Sequence, residues 1–202
     1  MGSISINPMK TTNAKGSFGI ESNGLYQGVA LDDPANRFNL AAGFVSTKET
    51  GVLFGGQPIL EKIVGTNTNP MGTEISKAAK AADVCGFTVF NQAHNGLSSP
   101  QSPVPQYASG MSVSFYRIGS NMRVPLKASA AVVALGTNGA PTNTKLAWDF
   151  TNQELIVATG DDDALPIKLL AIQAGNSKTV EYDAETGFAT WNNSGDCALV
   201  LL

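Results

Sequence analysis

Residues 104–136, VPQYASGMSVSFYRIGSNMRVPLKASAAVVALG, carry the reading on which the fold depends. Met111, Val113 and Phe115 alternate with Ser112, Ser114 and Tyr116, a period of two that puts one set of side chains on each face of a strand. Gly119-Ser120-Asn121 then supplies turn formers, and Met122, Val124 and Leu126 alternate again. Two alternating runs about a Gly-containing turn predict a β-hairpin. The stretch has no catalytic or ligand-binding chemistry of its own. It points to a β-rich domain and leaves function open.

Outward from that hairpin the same signals repeat. Towards the C-terminus, residues 130–135 read as a further strand and GTNGAPTNT as a turn cluster. Leu146, Trp148 and Phe150 alternate, Thr151-Asn152 turns, and Leu155-Ile156-Val157 follows, which predicts a second hairpin. The terminal run Cys197-Ala198-Leu199-Val200-Leu201-Leu202 reads as a core strand. Towards the N-terminus, residues 43–64 are apolar with Gly turns, again short strands. TEISKAAKAAD, residues 73–83, predicts a helix capped by Thr73, with Glu74 at its positive end. VCGFTVF, residues 84–90, predicts a buried strand, and the proline-rich residues 91–106 a loop too polar for a core. In residues 1–40 apolar side chains arrive singly in a Gly-, Asn- and Ser-rich chain. Such a segment buries little by itself. It reads as an arm over a neighbouring surface, or else as a free terminus or two edge strands. The expectation is an all-β chain: a small β-barrel or β-sandwich over residues 41–202, with one short helix and an extended N-terminal arm over residues 1–40.

Composition excludes more than it selects. Charged residues make up 14% of the 202, against roughly 25% in average globular proteins, so much of the surface is polar without charge. Residues 1–100 hold seven basic and seven acidic side chains and residues 101–202 six and nine, with no basic stripe to follow a nucleic-acid backbone. No stretch approaches the ~20 apolar residues of a membrane span. The N-terminus MGSISINPMK lacks the apolar run of a signal peptide. Cys85 and Cys197 could pair, but two reduced, buried thiols are the favoured reading.

Each candidate for chemistry has a plainer explanation. His94, the one histidine, sits in a loop without acidic neighbours and without a Gly-x-Ser-x-Gly elbow in the chain. Asp161-Asp162-Asp163 lacks the spacing of a calcium loop and reads as a solvated turn. Trp148, Tyr182, Trp191 and Tyr107 could build a platform for sugar rings, although their apolar neighbours favour core positions. Asp149 and Glu154 would be the paired acids of a glycosidase, but five residues across a turn give no reason for both to face one cleft. No catalytic, cofactor-binding or metal-binding residue is assigned, and the chain is read as non-enzymatic.

The blocks GVLFGGQPILEKI (51–63), VCGFTVFNQ (84–92), QYASGMSVSFYRIGSNMRVPL (106–126), LGTNGAPTNTKLAWD (135–149), LPIKLLAIQ (165–173) and CALVLL (197–202) resemble, in order, those of the capsid cement, or decoration, proteins of tailed bacteriophages. Tyr107, Gly110, Val113, Arg117, Gly119, Val124, Gly136 and Trp148 fall in the order of that family's pattern. The resemblance implies a structural protein of the virion surface, assembled in the bacterial host cytoplasm. It would bind the major capsid protein at junctions between capsomers. It would also form a homo-oligomer, a trimer in the family's common arrangement with a dimer as the alternative, and need no cofactor, nucleic acid or membrane. Phe18, Tyr26 and Phe38 are then the arm residues expected to contact the capsid or a neighbouring subunit. The alternative is a carbohydrate-binding β-sandwich that exposes aromatic residues from among Trp148, Tyr182 and Trp191.

Overall fold

The computed structural model describes residues 24–31, 37–63, 73–91 and 96–202. In chain order its elements are β1 (Ala41–Val45), β2 (Pro58–Lys62), β3 (Glu74–Lys77), β4 (Gly86–Val89), β5 (Ser112–Arg117), β6 (Arg123–Lys127), α1 (Ala130–Thr137), β7 (Leu146–Asp149), β8 (Glu154–Val157), β9 (Lys168–Tyr182) and β10 (Ala189–Leu201). The first five strands close a barrel in the order β1-β3-β2-β4-β5. A three-stranded sheet, β6-β10-β9, and the β7-β8 hairpin stand beside it. The chain is all-β, in the barrel form, and the C-terminal apolar run is the central strand of its sheet.

The hairpin expected about Gly119 does not form. Both edges of β5 are already taken, by β1 (Gly43 opposite Val113) and by β4 (Thr88 opposite Phe115). A strand has no third edge to offer, so β6 leaves the barrel and pairs with β10, Val124 opposite Val200. Gly119 at φ 91° and Asn121 at φ 56° turn the corner, left-handed conformations that suit those two residue types. The alternation in β5 separates two cores instead of core from solvent. Val113 and Phe115 fill the barrel interior with Val45, Leu53, Ile59 and Ile75. On the opposite face Ser114 and Tyr116 are buried as well, at 1% and 4% exposure. Tyr116 joins Phe87 and Val89 of β4 in a larger core with Val124, Leu126, Trp148, Leu155, Leu169 and Val200. The wall of the barrel is thus the floor of the second core.

One helix and one strand change places. Residues 73–83 give β3 and a single 3-10 turn, Ala81–Asp83, where a helix was expected. β3 lies between β1 (parallel) and β2 (antiparallel) and puts Ile75, fully buried, into the barrel. Three alanine-rich turns hold little helix on their own, and two strand ladders with a β-branched side chain in a core outweigh them. Conversely, residues 130–137 form α1 where a strand was expected. Ser129 caps the helix by accepting a hydrogen bond from Val132 N at 3.4 Å, and Val132 is buried beneath.

β9 and β10 make one long hairpin of 15 and 13 residues. Its register shifts between Asn192 and Gly195, Gly195 and Cys197, and Leu199 and Val200, and such bulges bend a ribbon. The tip packs Val180, Ala189, Tyr182 and Trp191 against Phe54, Phe90 and Val104. The loop expected to be too polar for a core clamps that tip. Ser102 Oγ donates to Ala189 O (3.1 Å) and accepts from Ala189 N (2.9 Å), and Gln106 Nε2 donates to Gly187 O (3.1 Å).

Residues 24–31, inside the segment read as an arm, strap the barrel to the sheet. Gln27 is 1% exposed and its backbone N donates to Lys178 O at 2.9 Å. Its side-chain Oε1 accepts from Val180 N at 2.9 Å, and Nε2 donates to Gly55 O at 3.3 Å. Gly28 N donates to Pro125 O, and Gly28 O accepts from Phe90 N. At φ +72° Gly28 crosses the barrel loop so closely that a Cβ would come within 2.3 Å of the Gly55 carbonyl carbon. β9, β6 and the barrel all meet on these two residues.

Both cysteines are free. Cys197 is fully buried, and burial pushes its thiol up to about 12. Burial also raises Cys85, whose Sγ donates to Ile59 O at 3.0 Å. Only a thiolate attacks disulfide reagents efficiently. Ellman's reagent at neutral to mildly alkaline pH is therefore expected to spare Cys197 in the folded protein and to modify it in urea. Rapid native-state modification of Cys197 would contradict the packing of β10.

Candidate functional site

Strand registers bring the starts of β1, β3 and β4 and the ends of β2 and β5 to one end of the barrel, with Lys62 opposite Glu74, Phe44 beside Glu74 and Gly86 opposite Arg117. The period of two then decides what closes this end. Ile59 and Glu61 share one face of β2, as Val113, Phe115 and Arg117 share one face of β5. Ile59, Val113 and Phe115 line the interior, so the positions at the mouth fall to Glu61 and Arg117. The two meet as a fork, Arg117 Nε to Glu61 Oε2 at 2.7 Å and Nη2 to Oε1 at 2.5 Å. The guanidinium carbon lies 5.3 Å from the centre of the Phe115 ring. The Arg117 hydrogen bond holds Glu61 below the usual carboxylate range, and the same bond raises Arg117. With side chains 24% and 51% exposed, the pair adds at most about 1 kcal/mol. Its contribution is to shape the mouth.

Ile63 is next in the phase of β2, past the last strand residue, and is 100% exposed. Phe38, in the single-turn 3-10 helix Arg37–Asn39 that leads into β1, is 93% exposed. Asn39 Nδ2 anchors that turn by donating to Ser120 O at 3.0 Å. Phe38, Leu40, Arg117 and Ile118 line an open groove of about 400 Å³. Burying a Phe or Ile side chain is worth about 1.5–3 kcal/mol, so two of them left in water on one rim make a candidate contact surface.

Of the three arm residues expected to make contacts, Phe38 is on this rim. Tyr26 lies in the strap, its ring centre 5.5 Å from Lys178 Nζ. Phe18 lies outside the described residues, as does His94. Nothing along the chain marks Ile63, Glu61 or Arg117 as rim residues: Ile63 falls inside an apolar run whose strand ends at Lys62, and Glu61 and Arg117 meet only across the barrel.

The remaining candidates resolve into structural roles. Asp163 closes its own turn, accepting from Thr159 N, Thr159 Oγ1 and Gly160 N, while Asp161 pairs with Lys145. Among the described residues no three His, Cys, Asp or Glu side chains gather as metal ligands would. Asp149 and Glu154, which sequence gave no reason to bring together, stand directly opposite each other in β7-β8. Hydrogen bonds from the Asn152 backbone and side chain and the Thr151 backbone hold Asp149 low, so its carboxylate is engaged in the turn. Glu154 is raised by burial and lies 3.9 Å from Lys127. Tyr107, at 1% exposure, and Trp148, at 3%, are core; the Trp148 ring is edge-on to Phe87 with centroids 5.5 Å apart. Trp148 therefore cannot join Tyr182 and Trp191 in a sugar platform. Those two are half-buried at the hairpin tip, with Lys77 and Lys178 over their rings at 5.2 and 4.9 Å. Among the described residues no helix is long and apolar enough to cross a membrane. In comparisons with protein-family models, curated proteins and solved structures, none matches this chain.

Proposed function

We propose that the chain is a non-enzymatic structural protein of a tailed-bacteriophage virion. It binds the outside of the capsid and stabilises the shell by bridging capsomers. The observation that carries this reading is the barrel rim, where Phe38 and Ile63 are 93% and 100% exposed beside a mouth closed by Glu61 and Arg117. The weakly charged composition and the ordered sequence blocks that resemble cement proteins support it. The partner is the major capsid protein, and copies of the chain associate with one another, as trimers in the favoured arrangement. The mechanism is linkage: a ligand that binds only the expanded shell stabilises that state by mass action. Many modest contacts, repeated over the lattice, add up to firm attachment.

Co-sedimentation tests this directly. Purified protein is mixed with expanded and with unexpanded empty heads assembled from the major capsid protein of the same phage. The proposal expects pelleting with expanded heads at a fixed copy number per capsomer, and raised thermal resistance of those heads. Protein that stays in the supernatant with both kinds of head overturns it.

A further inference from the structure

The tip of the β9–β10 hairpin carries a second groove, apart from the rim proposed for the capsid contact. It is open, about 420 Å³, and bounded by the hairpin residues Tyr182, Asp183 and Phe188 and by Gln101 of the clamping loop. Phe188 is 44% exposed, and Glu181 and Thr190 stand opposite each other on the adjoining strands.

Three properties narrow the ligand. Apolar ring surface, from Phe188, adjoins planar or small polar groups: the Glu181 carboxylate, whose Oε1 already accepts from Asn192 Nδ2 at 2.8 Å, the Gln101 amide and the Thr190 hydroxyl. A pyranose ring matches such a surface, because its C–H face lies on an aromatic ring while its hydroxyls reach carboxylate and amide groups. The lining carries two carboxylates, Glu181 and Asp183, against one nearby ammonium, Lys77 Nζ at 5.2 Å from the Tyr182 ring centre, and this negative balance disfavours phosphate, sulfate and acidic sugars. The frame is also rigid. Asp183 accepts from Thr186 Oγ1 (2.8 Å) and Glu185 N (2.9 Å), and Ser102 and Gln106 pin the loop to the tip. Little ordering then remains to be done on binding.

We infer that this groove binds a neutral saccharide, stacked on Phe188 and hydrogen-bonded to Glu181 and Gln101. The site lies on β9 and β10, away from the barrel rim, so a single copy could hold shell and glycan together.

The full chain, labelled with ¹⁵N, is titrated with maltotriose, cellotriose and tri-N-acetylchitotriose, and with sialyllactose as the anionic control. At least one neutral trisaccharide is expected to shift the Gln101, Phe188 and Thr190 amide resonances saturably. Phe188→Ala should weaken that binding roughly tenfold or more, and Phe188→Tyr should retain it. Phe38→Asp should bind the sugar like the parent, which separates this site from the capsid contact. Phe188 is well exposed, so its variants are expected to melt with the parent. No shift from any neutral trisaccharide at tens of millimolar overturns the inference. So does an equal response to sialyllactose, or undiminished binding by Phe188→Ala.

Discussion

Gln27→Ala is expected to destabilise the protein by about 2–4 kcal/mol, a fall in thermal midpoint of roughly 5–15 °C for a chain of this size. The side chain is 1% exposed and joins Val180 N to Gly55 O, one group on the long hairpin and one on the barrel. Alanine leaves both backbone groups without that partner in a place water does not reach, and each unpaired buried group costs about 1–3 kcal/mol. Gln27→Leu discriminates further. It restores the volume and none of the hydrogen bonds, so it should also melt early if pairing, and not filling, is what matters. Circular dichroism melts of the two variants decide it. An unchanged midpoint for Gln27→Ala would mean that the strap lies on the fold without holding it together.

The second large effect is on binding. Replacing Phe38 and Ile63 together by Asp is expected to weaken attachment to expanded heads by about 100-fold or more, since two buried apolar side chains contribute several kcal/mol. Repetition over many copies enlarges the loss in the pelleted fraction. Stability should hardly move, because both side chains already face water in the isolated chain. That separation is the point of the experiment. A variant that melts with the parent and fails to pellet locates the contact at the rim. A variant that pellets like the parent removes the rim from the account.

The strands were more legible than their partners. Alternation in residues 111–126 gives β5 and β6 correctly, yet the hairpin drawn from it is absent, because a sequence does not show that β1 and β4 occupy both edges of β5. The Leu146–Val157 hairpin, by contrast, is local, and its strands pair as its turn suggests. The exchange of helix and strand has the same origin. Alanine spacing in residues 73–83 is a weak local preference, overridden once β1 and β2 offer edges on either side. Ser129 ahead of an alanine-rich run was a readable cap for α1. At the rim, Phe38 could be picked out as an isolated aromatic residue. The exposure of Ile63 depends on β2 ending at Lys62, and the Glu61–Arg117 fork depends on two strands meeting across a closed barrel. No spacing along the chain encodes either.

Electron microscopy of expanded heads, with and without added protein, tests the central claim most directly. The account predicts extra density on the outer surface at the junctions between capsomers, with the barrel end that bears Phe38 and Ile63 turned toward the shell. Heads that look the same with and without the protein, or added density with that barrel end facing solvent, would contradict it.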